Sequence, residues 1–379
     1  MGKLFLFLLI FVLCLTGTLQ KKGKNKNKSH RNRTEVHIPE PRTFKGVPDI
    51  RTDPSPGVNG TQAPVPSQSP PALKSLSNST VGFLRGALST RVIPIIYMLS
   101  VVVGIPANVA ILCLLATKIR KVSSAILYCS LAVSDLLLLL SLLFKAHYHL
   151  HGNHWVLGET ACRLVTACFY GNLYCSAQTL ACISIKRYLA VVHPFMYKTL
   201  PKRTCTAWVS VAVWGVFGAA VVPELLVQQS YRLPQVDLIT CHDVLPLDYD
   251  SHAFLLYYYL FLTIFGLVAP LALTVACYVR IVCELNRSNL DWAMYIKASS
   301  LVFVIFLLCF TPAGVLHFLH HLQLSVNGTE TLYVHFKVAV CLCCVHACLD
   351  PFLFLIMSKS AGSRLYFRPF KGKTLSVSF

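Results

Sequence analysis

Asn108, Asp135, Ser176 and Asp350 are polar side chains embedded in long apolar runs. An ionisable group deep in a bilayer is expensive, so it turns into a protein interior and pairs with a neighbour or an ion. The two carboxylates and the Ser176 hydroxyl form a set of hard oxygen donors that could hold a cation, and sodium is the ion expected there. Asn108 fits equally well an interhelical hydrogen bond that only ties helices together. His147, His149, His151 and His154 alternate in a polar segment. Alternating histidines in a loop are usually incidental, so no zinc site is assigned to them. Patterns of the G-x-G-x-x-G, Walker, H-E-x-x-H and G-x-S-x-G types are missing, so no catalytic residue is assigned and an enzyme is not expected.

The elements that carry these residues follow from composition. Of 379 residues, 55% are hydrophobic and 13% charged, whereas soluble domains are about 25% charged. The apolar residues gather into seven runs, at about 92–117, 124–147, 161–189, 205–227, 253–282, 294–320 and 332–357. Each can cross roughly 30 Å of hydrocarbon, so the fold class expected is all-α membrane, a bundle of seven transmembrane helices. Lys118, Arg120 and Lys121, then Lys198, Lys202 and Arg203, then Arg280 and Arg287, and finally Lys359, Arg364, Arg368, Lys371 and Lys373 follow the odd-numbered runs and mark the cytoplasmic side. The net charge of +19 therefore sits in linkers and in a basic tail at residues 21–42. That distribution argues against nucleic-acid binding. Residues 1–18 read as a secretory signal with Lys3 before the apolar stretch Leu4–Leu15, which places the N-terminus outside the plasma membrane. Residues 19–91, rich in Pro, Ser, Asn and Lys, read as an extended stalk. Asn27, Asn32, Asn59, Asn78 and Asn327 are glycosylation sequons on the outer side, and Asn286 is one on the inner side, expected to stay unmodified. Cys162 and Cys241 are the two cysteines placed outside in the mature chain, which implies a disulfide between them. Pro106, Pro223, Pro270, Pro312 and Pro351 interrupt five spans and are expected to kink them.

With the spans in place, further motifs fall in order. Asn108 is in the first, Leu131-Ala132-Val133-Ser134-Asp135 in the second, Arg187-Tyr188 at the foot of the third, and Trp214 in the fourth. Pro270 and Tyr278 follow in the fifth, Phe306-x-x-Cys309-Phe310-Thr311-Pro312 in the sixth, and Asp350-Pro351 in the seventh. The chain resembles the rhodopsin-like, G-protein-coupled receptors over residues 92 to about 368. Cys241-His242-Asp243-Val244, Phe169-Tyr170-x-Asn172-x-Tyr174 and Ser184-Ile185-x-Arg187-Tyr188 narrow the resemblance to the proteinase-activated receptors.

That resemblance implies a mechanism. Pro39-Glu40-Pro41-Arg42 resembles a protease site and Thr43-Phe44-Lys45-Gly46 a tethered ligand. Arg42 suits a trypsin-like specificity pocket, whose aspartate pairs with a guanidinium, and Pro41 favours a thrombin-type serine protease. Scission would make residues 19–42 a cleaved propeptide and 43–91 a stalk carrying its own ligand at roughly millimolar effective concentration. The bundle then spans 92–357, ahead of a short cytoplasmic tail, 358–379. The ligand would dock at the outer mouth, with Asp243 and the nearby Asp237, Asp248 and Asp250 facing the Thr43 amine and Lys45. His242, Tyr257, His320, His321, Tyr333 and Phe336 would form the walls. A heterotrimeric G protein would couple at Arg187 and Tyr278.

Four features depart from the family pattern, one of them the cytoplasmic tail after about residue 358, which is short and has no cysteine for palmitoylation. Lys186 stands where an acid usually restrains Arg187, and a lysine there is expected to repel it. Phe354 lacks the hydroxyl usual in the Asp-Pro-x-x-Tyr motif. Residues 47–70 offer only Asp49 and Asp53 to a basic protease exosite. These departures keep a second reading open, a cleavable partner for another protease-activated receptor. A seven-span transporter is the third, disfavoured because the halves show no internal repeat.

Overall fold

The computed structural model describes residues 44–48, 70–74, 78–116, 123–246, 258, 260–287, 293–327 and 331–366. The signal sequence, Asn27, Asn32, Arg42, Thr43, Asn59, Asp248, Asp250 and Tyr257 lie outside them.

Six helices are long and apolar enough to cross a membrane: Asn78–Ala116, Ser123–Leu150, Lys202–Leu226, Leu260–Asn286, Ser299–His320 and Leu332–Ile356. A seventh, Gly158–Val192, lies third in the order and runs 35 residues. At 1.5 Å per residue it is about 52 Å long, and Asn172, Ser176 and Gln178 in its middle dilute its hydropathy. The expected count of seven therefore stands. Leu99, Val102, Trp208 and Leu308 are exposed on the outer faces, as helices packed in lipid require. The core runs between the helices through Leu131, Leu138, Leu180, Ile305, Phe306 and Phe310.

Pro223, Pro270 and Pro312 each leave a local mark, whereas Pro106 and Pro351, also expected to kink their spans, lie inside the continuous helices Ile93–Ala116 and His346–Tyr366. Pro270 and Pro312 each follow a π-helical turn, Ile264–Val268 and Phe306–Phe310. A proline ring clashes with the carbonyl four residues back and supplies no N–H. Widening the preceding turn moves the Gly266 and Leu308 carbonyls aside. In the sixth span the Thr311 hydroxyl donates to the Phe306 carbonyl at 2.9 Å. The fourth span breaks at Val221, between Lys202–Ala220 and Val222–Leu226, just before Pro223. The seventh breaks at Cys344 and Val345, between Thr331–Cys343 and His346–Tyr366.

The stalk is shorter than its composition implies. Asn78–Arg85 is helical, and Thr80, Phe83 and Leu84 are buried. Val81, Phe83, Leu84 and Leu88 supply enough apolar surface to fold this end onto the bundle. The Asn153 amide donates to the Leu84 carbonyl at 2.6 Å, and the Ser89 hydroxyl donates to Asn153 Oδ1 at 3.0 Å. Asn78 itself is exposed at the helix start, where a glycan has room.

Two small sheets cover the outer end. β1 is Phe44–Pro48, β2 Leu73–Lys74, β3 Ser230–Leu233, β4 Leu238–Cys241 and β5 Val244–Pro246. β3 and β4 form an antiparallel hairpin. The Glu159 carboxylate grips its base, accepting from the Gln229 and Ser230 amides at 2.8 and 2.7 Å. The expected disulfide joins Cys162 to Cys241, with Cα atoms 5.7 Å apart. It closes 79 residues of sequence, and loss of such a constraint costs about 2–5 kcal/mol. Cys162→Ser and Cys241→Ser should each lower surface expression, read by an antibody on intact cells. The double variant should be no worse than either single one.

β1 is the middle strand of the other sheet, antiparallel to β2 and parallel to β5. Its register pairs Phe44 with Val244, Lys45 with Leu245 and Gly46 with Pro246. The segment read as a tethered ligand is therefore strand-paired to the second outer loop along its backbone.

Candidate functional site

The outer mouth is built around Asp243. His242, at φ 64°, turns the chain between β4 and β5 just after the disulfide. That left-handed residue is uncommon for a side chain with a Cβ. It is held by Gln229, whose carbonyl accepts from the His242 amide at 2.9 Å and whose Oε1 lies 2.6 Å from His242 Nδ1. The turn sends Asp243 into the bundle, where it is 1% exposed. Its carboxylate forms an ion pair with Lys337 of the seventh span. It also accepts from the Tyr148 hydroxyl at 2.9 Å and the Tyr333 hydroxyl at 3.3 Å. Burial by itself pushes the Asp243 carboxyl up, but Lys337, then His149 and Lys145, outweigh it and hold the group well below the usual carboxylate range.

Around this anion the structure assembles much of the expected wall. The His320 and Tyr333 rings are 5.9 Å apart, and Tyr333 and Phe336 are 6.3 Å apart. His242 packs on Tyr170 at 5.3 Å. Asp237 is not part of the site; it sits at the exposed hairpin turn, 3.7 Å from Arg232. His321 lies in the sixth helix, and its side chain is outside the described residues. Sequence reasoning missed Lys337, Lys145, Tyr148 and His149, all buried here. The signal was available, because a lysine inside an apolar run calls for a partner as much as an aspartate does. Lys145 lies 4.6 Å above the Phe169 ring. His149 lies 2.6 Å from Asn153 Oδ1, buried in the last turn of the helix Ser123–Leu150 and not in a polar loop. The His147 and His151 rings lie tilted against each other with centroids 4.0 Å apart.

The core residues divide. The Ser176 hydroxyl donates to Asp135 at 3.1 Å, and Asp350 is buried beside them. Asn108 borders the same small cavity as Asp135 and Asp350, but its amide donates to the Gly104 and Ala347 carbonyls at 3.0 and 2.8 Å, tying the first span to the seventh. This is the interhelical role that the sequence left open.

At the inner face, Lys186 does not repel Arg187. It turns away and donates to the Ser123 and Thr206 hydroxyls at 3.0 and 3.1 Å. The expectation failed because a long, flexible ammonium finds hydroxyl acceptors on the second and fourth helices. Arg187 donates instead to the Tyr128 hydroxyl at 3.0 Å. The Phe354 ring packs on Tyr128 with centroids 5.8 Å apart. Tyr278 bonds Ser300 at 3.2 Å and stacks on Phe303.

Residues 107–354 match the family model described as 7 transmembrane receptor (rhodopsin family). The chain is 41% identical to proteinase-activated receptor 3 of Homo sapiens, over 84% of this chain and 87% of that one. It is 42% identical to proteinase-activated receptor 3 of Bos taurus, over 84% and 86%. It is 34% identical to proteinase-activated receptor 1 of Mus musculus, over 80% and 71%. With the disulfide-anchored outer loop, the seven spans and the polar core in the expected order, the chain belongs to the rhodopsin-like seven-transmembrane receptors and, within them, to the proteinase-activated receptors.

Proposed function

We propose that this chain is a plasma-membrane receptor activated by a serine protease of thrombin-like specificity, which cuts after Arg42. The new terminus, Thr43-Phe44-Lys45-Gly46, is then the ligand, and a heterotrimeric G protein couples at Arg187. The observation that carries this reading is the parallel pairing of β1 with β5. Strand addition to an existing edge uses main-chain hydrogen bonds for affinity, so the ligand segment is aligned on the loop that presents Asp243. Followed backwards from the Phe44–Val244 pair, the register leads toward Asp243. In this reading the ammonium freed at Thr43 competes with Lys337 for that carboxylate. Asn27, Asn32, Asn59, Asn78 and Asn327 carry glycans on the same outer side.

A second reading has its own support. Arg187 is held by Tyr128, Lys186 occupies the position of the usual acid, and Phe354 has no hydroxyl. A chain so restrained would present its cleaved ligand to another protease-activated receptor in a heteromer. Cells expressing this chain alone, with an epitope upstream of Arg42, separate the two. Epitope loss with a second-messenger rise supports the receptor. Epitope loss without one supports the partner. An intact epitope under thrombin sinks the protease assignment.

The inner-face geometry gives a further expected result. Among the described residues, Arg187 Nη2 has the Tyr128 hydroxyl, while Nε and Nη1 have no partner. A hydrogen bond to a charged group contributes about 1.5–3 kcal/mol. Tyr128→Phe should therefore raise basal second-messenger output about tenfold at matched surface level. Unchanged basal output would show that this contact does not restrain Arg187.

A further inference from the structure

The outer mouth buries one cation more than its ion pair uses. Lys145 lies on the second span, one turn before His149, and is 8% exposed. An ammonium offers three N–H donors and accepts nothing. Among the described residues no oxygen accepts from it, and the contact it has is the face of the Phe169 ring, 4.6 Å from the centroid. Tyr97 packs edge-on against that ring at 6.4 Å and closes the side toward the first span. Lysines are almost never buried unless paired, and a ring face replaces an anion only in part. Lys337 shows the ordinary arrangement. It is equally buried, but its ammonium is paired with Asp243 and lies 5.5 Å from the Tyr333 centroid.

The charges around Lys145 can be counted. Lys337, then Asp243, then Glu224 are the charged side chains that act on it most strongly. Glu224 is buried in the short helix that ends the fourth span. The His149 ring, 2.6 Å from Asn153 Oδ1, belongs to a residue type with an ordinary pKa of about 6.5 and counts as uncharged at about pH 7.4. Two ammoniums therefore face two carboxylates before the ligand docks. The Thr43 ammonium, set against Asp243, adds a third cation and takes the carboxylate that Lys337 was using. An uncompensated charge in so buried a place is costly. One monovalent anion restores the balance. A divalent oxyanion would exceed it and would face the Asp243 and Glu224 carboxylates as well.

We propose that Lys145 and Lys337 together hold one monovalent inorganic anion, chloride, at the outer mouth once an ammonium occupies Asp243, so that the ligand and the anion bind cooperatively. This rests on the tethered-ligand reading given above. Lys145 supplies donors that are unused beforehand, and Lys337 supplies those released from its ion pair. Charge-assisted hydrogen bonds of this kind are the strong ones. The anion lies behind the ligand's amine rather than on the ligand, and coupling of the two sites is reciprocal.

The test uses the full-length receptor purified in detergent at about pH 7.4, in sodium chloride or in sodium methanesulfonate of equal ionic strength, so that screening is the same. The probe is the amidated peptide Thr-Phe-Lys-Gly, which brings an α-ammonium and no carboxylate. Its affinity should be about tenfold higher in chloride, a coupling of ordinary size. Lys145→Met removes the excess cation and should bind the peptide alike in both salts. A second arm needs no peptide. Asp243→Asn leaves Lys145 and Lys337 opposite Glu224 alone, so chloride should raise its unfolding temperature by about 3–6 °C over methanesulfonate. Wild-type protein without peptide should show no such difference, and adding Lys145→Met to Asp243→Asn should abolish it. Equal peptide affinity in the two salts overturns the proposal, as does a chloride dependence that survives Lys145→Met. Peptide that binds in neither salt overturns the tethered-ligand reading instead, and the Asp243→Asn arm then decides the anion site by itself. If Asp243→Asn does not fold, the peptide arm on wild-type protein decides it.

Discussion

Arg42→Ala should reduce cleavage of the receptor tail by a thrombin-like protease by about 10³-fold or more and remove the protease-evoked response with it. A pocket built to pair a guanidinium leaves its own buried aspartate unpaired when the side chain is truncated, so discrimination is far larger than for a lost methylene. Arg42→Lys should fall between, because an ammonium cannot reproduce the bidentate contact. The experiment follows an epitope upstream of residue 42 together with second messenger, at matched surface expression. Loss of the epitope from Arg42→Ala at the wild-type rate would move the cut to another of the basic residues at 21–42. The tail offers several Lys and Arg, and only the pairing of the following residues, Phe44 to Gly46, with the second outer loop singles out this one.

Asp243→Asn should cost the receptor about 10²–10³-fold in ligand potency and lower its surface level. Removing one partner of a buried ion pair costs about 3–5 kcal/mol, since the other charge is left stranded. Here Lys337 would be stranded, with Lys145 also acting on the same carboxylate. Two roles of Asp243 are mixed in that loss, and a second substitution separates them. Asp243→Asn combined with Lys337→Met removes both charges and should restore surface expression, because a buried pair replaced by apolar groups is often neutral for stability. Ligand potency should stay low, because the ammonium of Thr43 still has no carboxylate. Recovery of potency in the double variant would reduce Asp243 to a structural role. The pair is also insensitive to mild acid. The carboxyl is held below its ordinary value, so its contribution is complete above the unfolded value near pH 4 and fades only as pH falls below that. Stability attributed to this pair should be unchanged between about pH 7 and pH 5.

Much of this protein was legible in its sequence because a bilayer leaves few choices. Seven runs of apolar residues have to be helices, since no water is present to satisfy the backbone. Basic linkers orient them. Asp135, Ser176 and Asp350 had to meet, because isolated charges in hydrocarbon are too costly, and they do. The same logic extends to the disulfide, where two cysteines in an oxidising compartment had one another as partners. Local chemistry also exposes the kinks, since proline acts on the turn that precedes it.

Contacts between distant segments were decided only by the tertiary structure. Asp243 and Lys337 are far apart in sequence, and nothing in either loop or span announces that the left-handed turn at His242 aims one at the other. Lys186 reads as a repulsive neighbour of Arg187 when the two are adjacent letters, yet successive residues on a helix point in different directions, and hydroxyls on other helices take the ammonium. His346 reads as one more residue in a cysteine-rich span until the break at Cys344 frees a carbonyl to fix its ring against Asp135. The tail reads as a stalk because its composition is polar on average, but Phe83 and Leu84 have a surface to bury against and Phe44–Pro48 has an open strand edge to join. Composition and period report what a segment can do alone. Pairing partners, and therefore the site, depend on which surfaces the packed helices bring within reach.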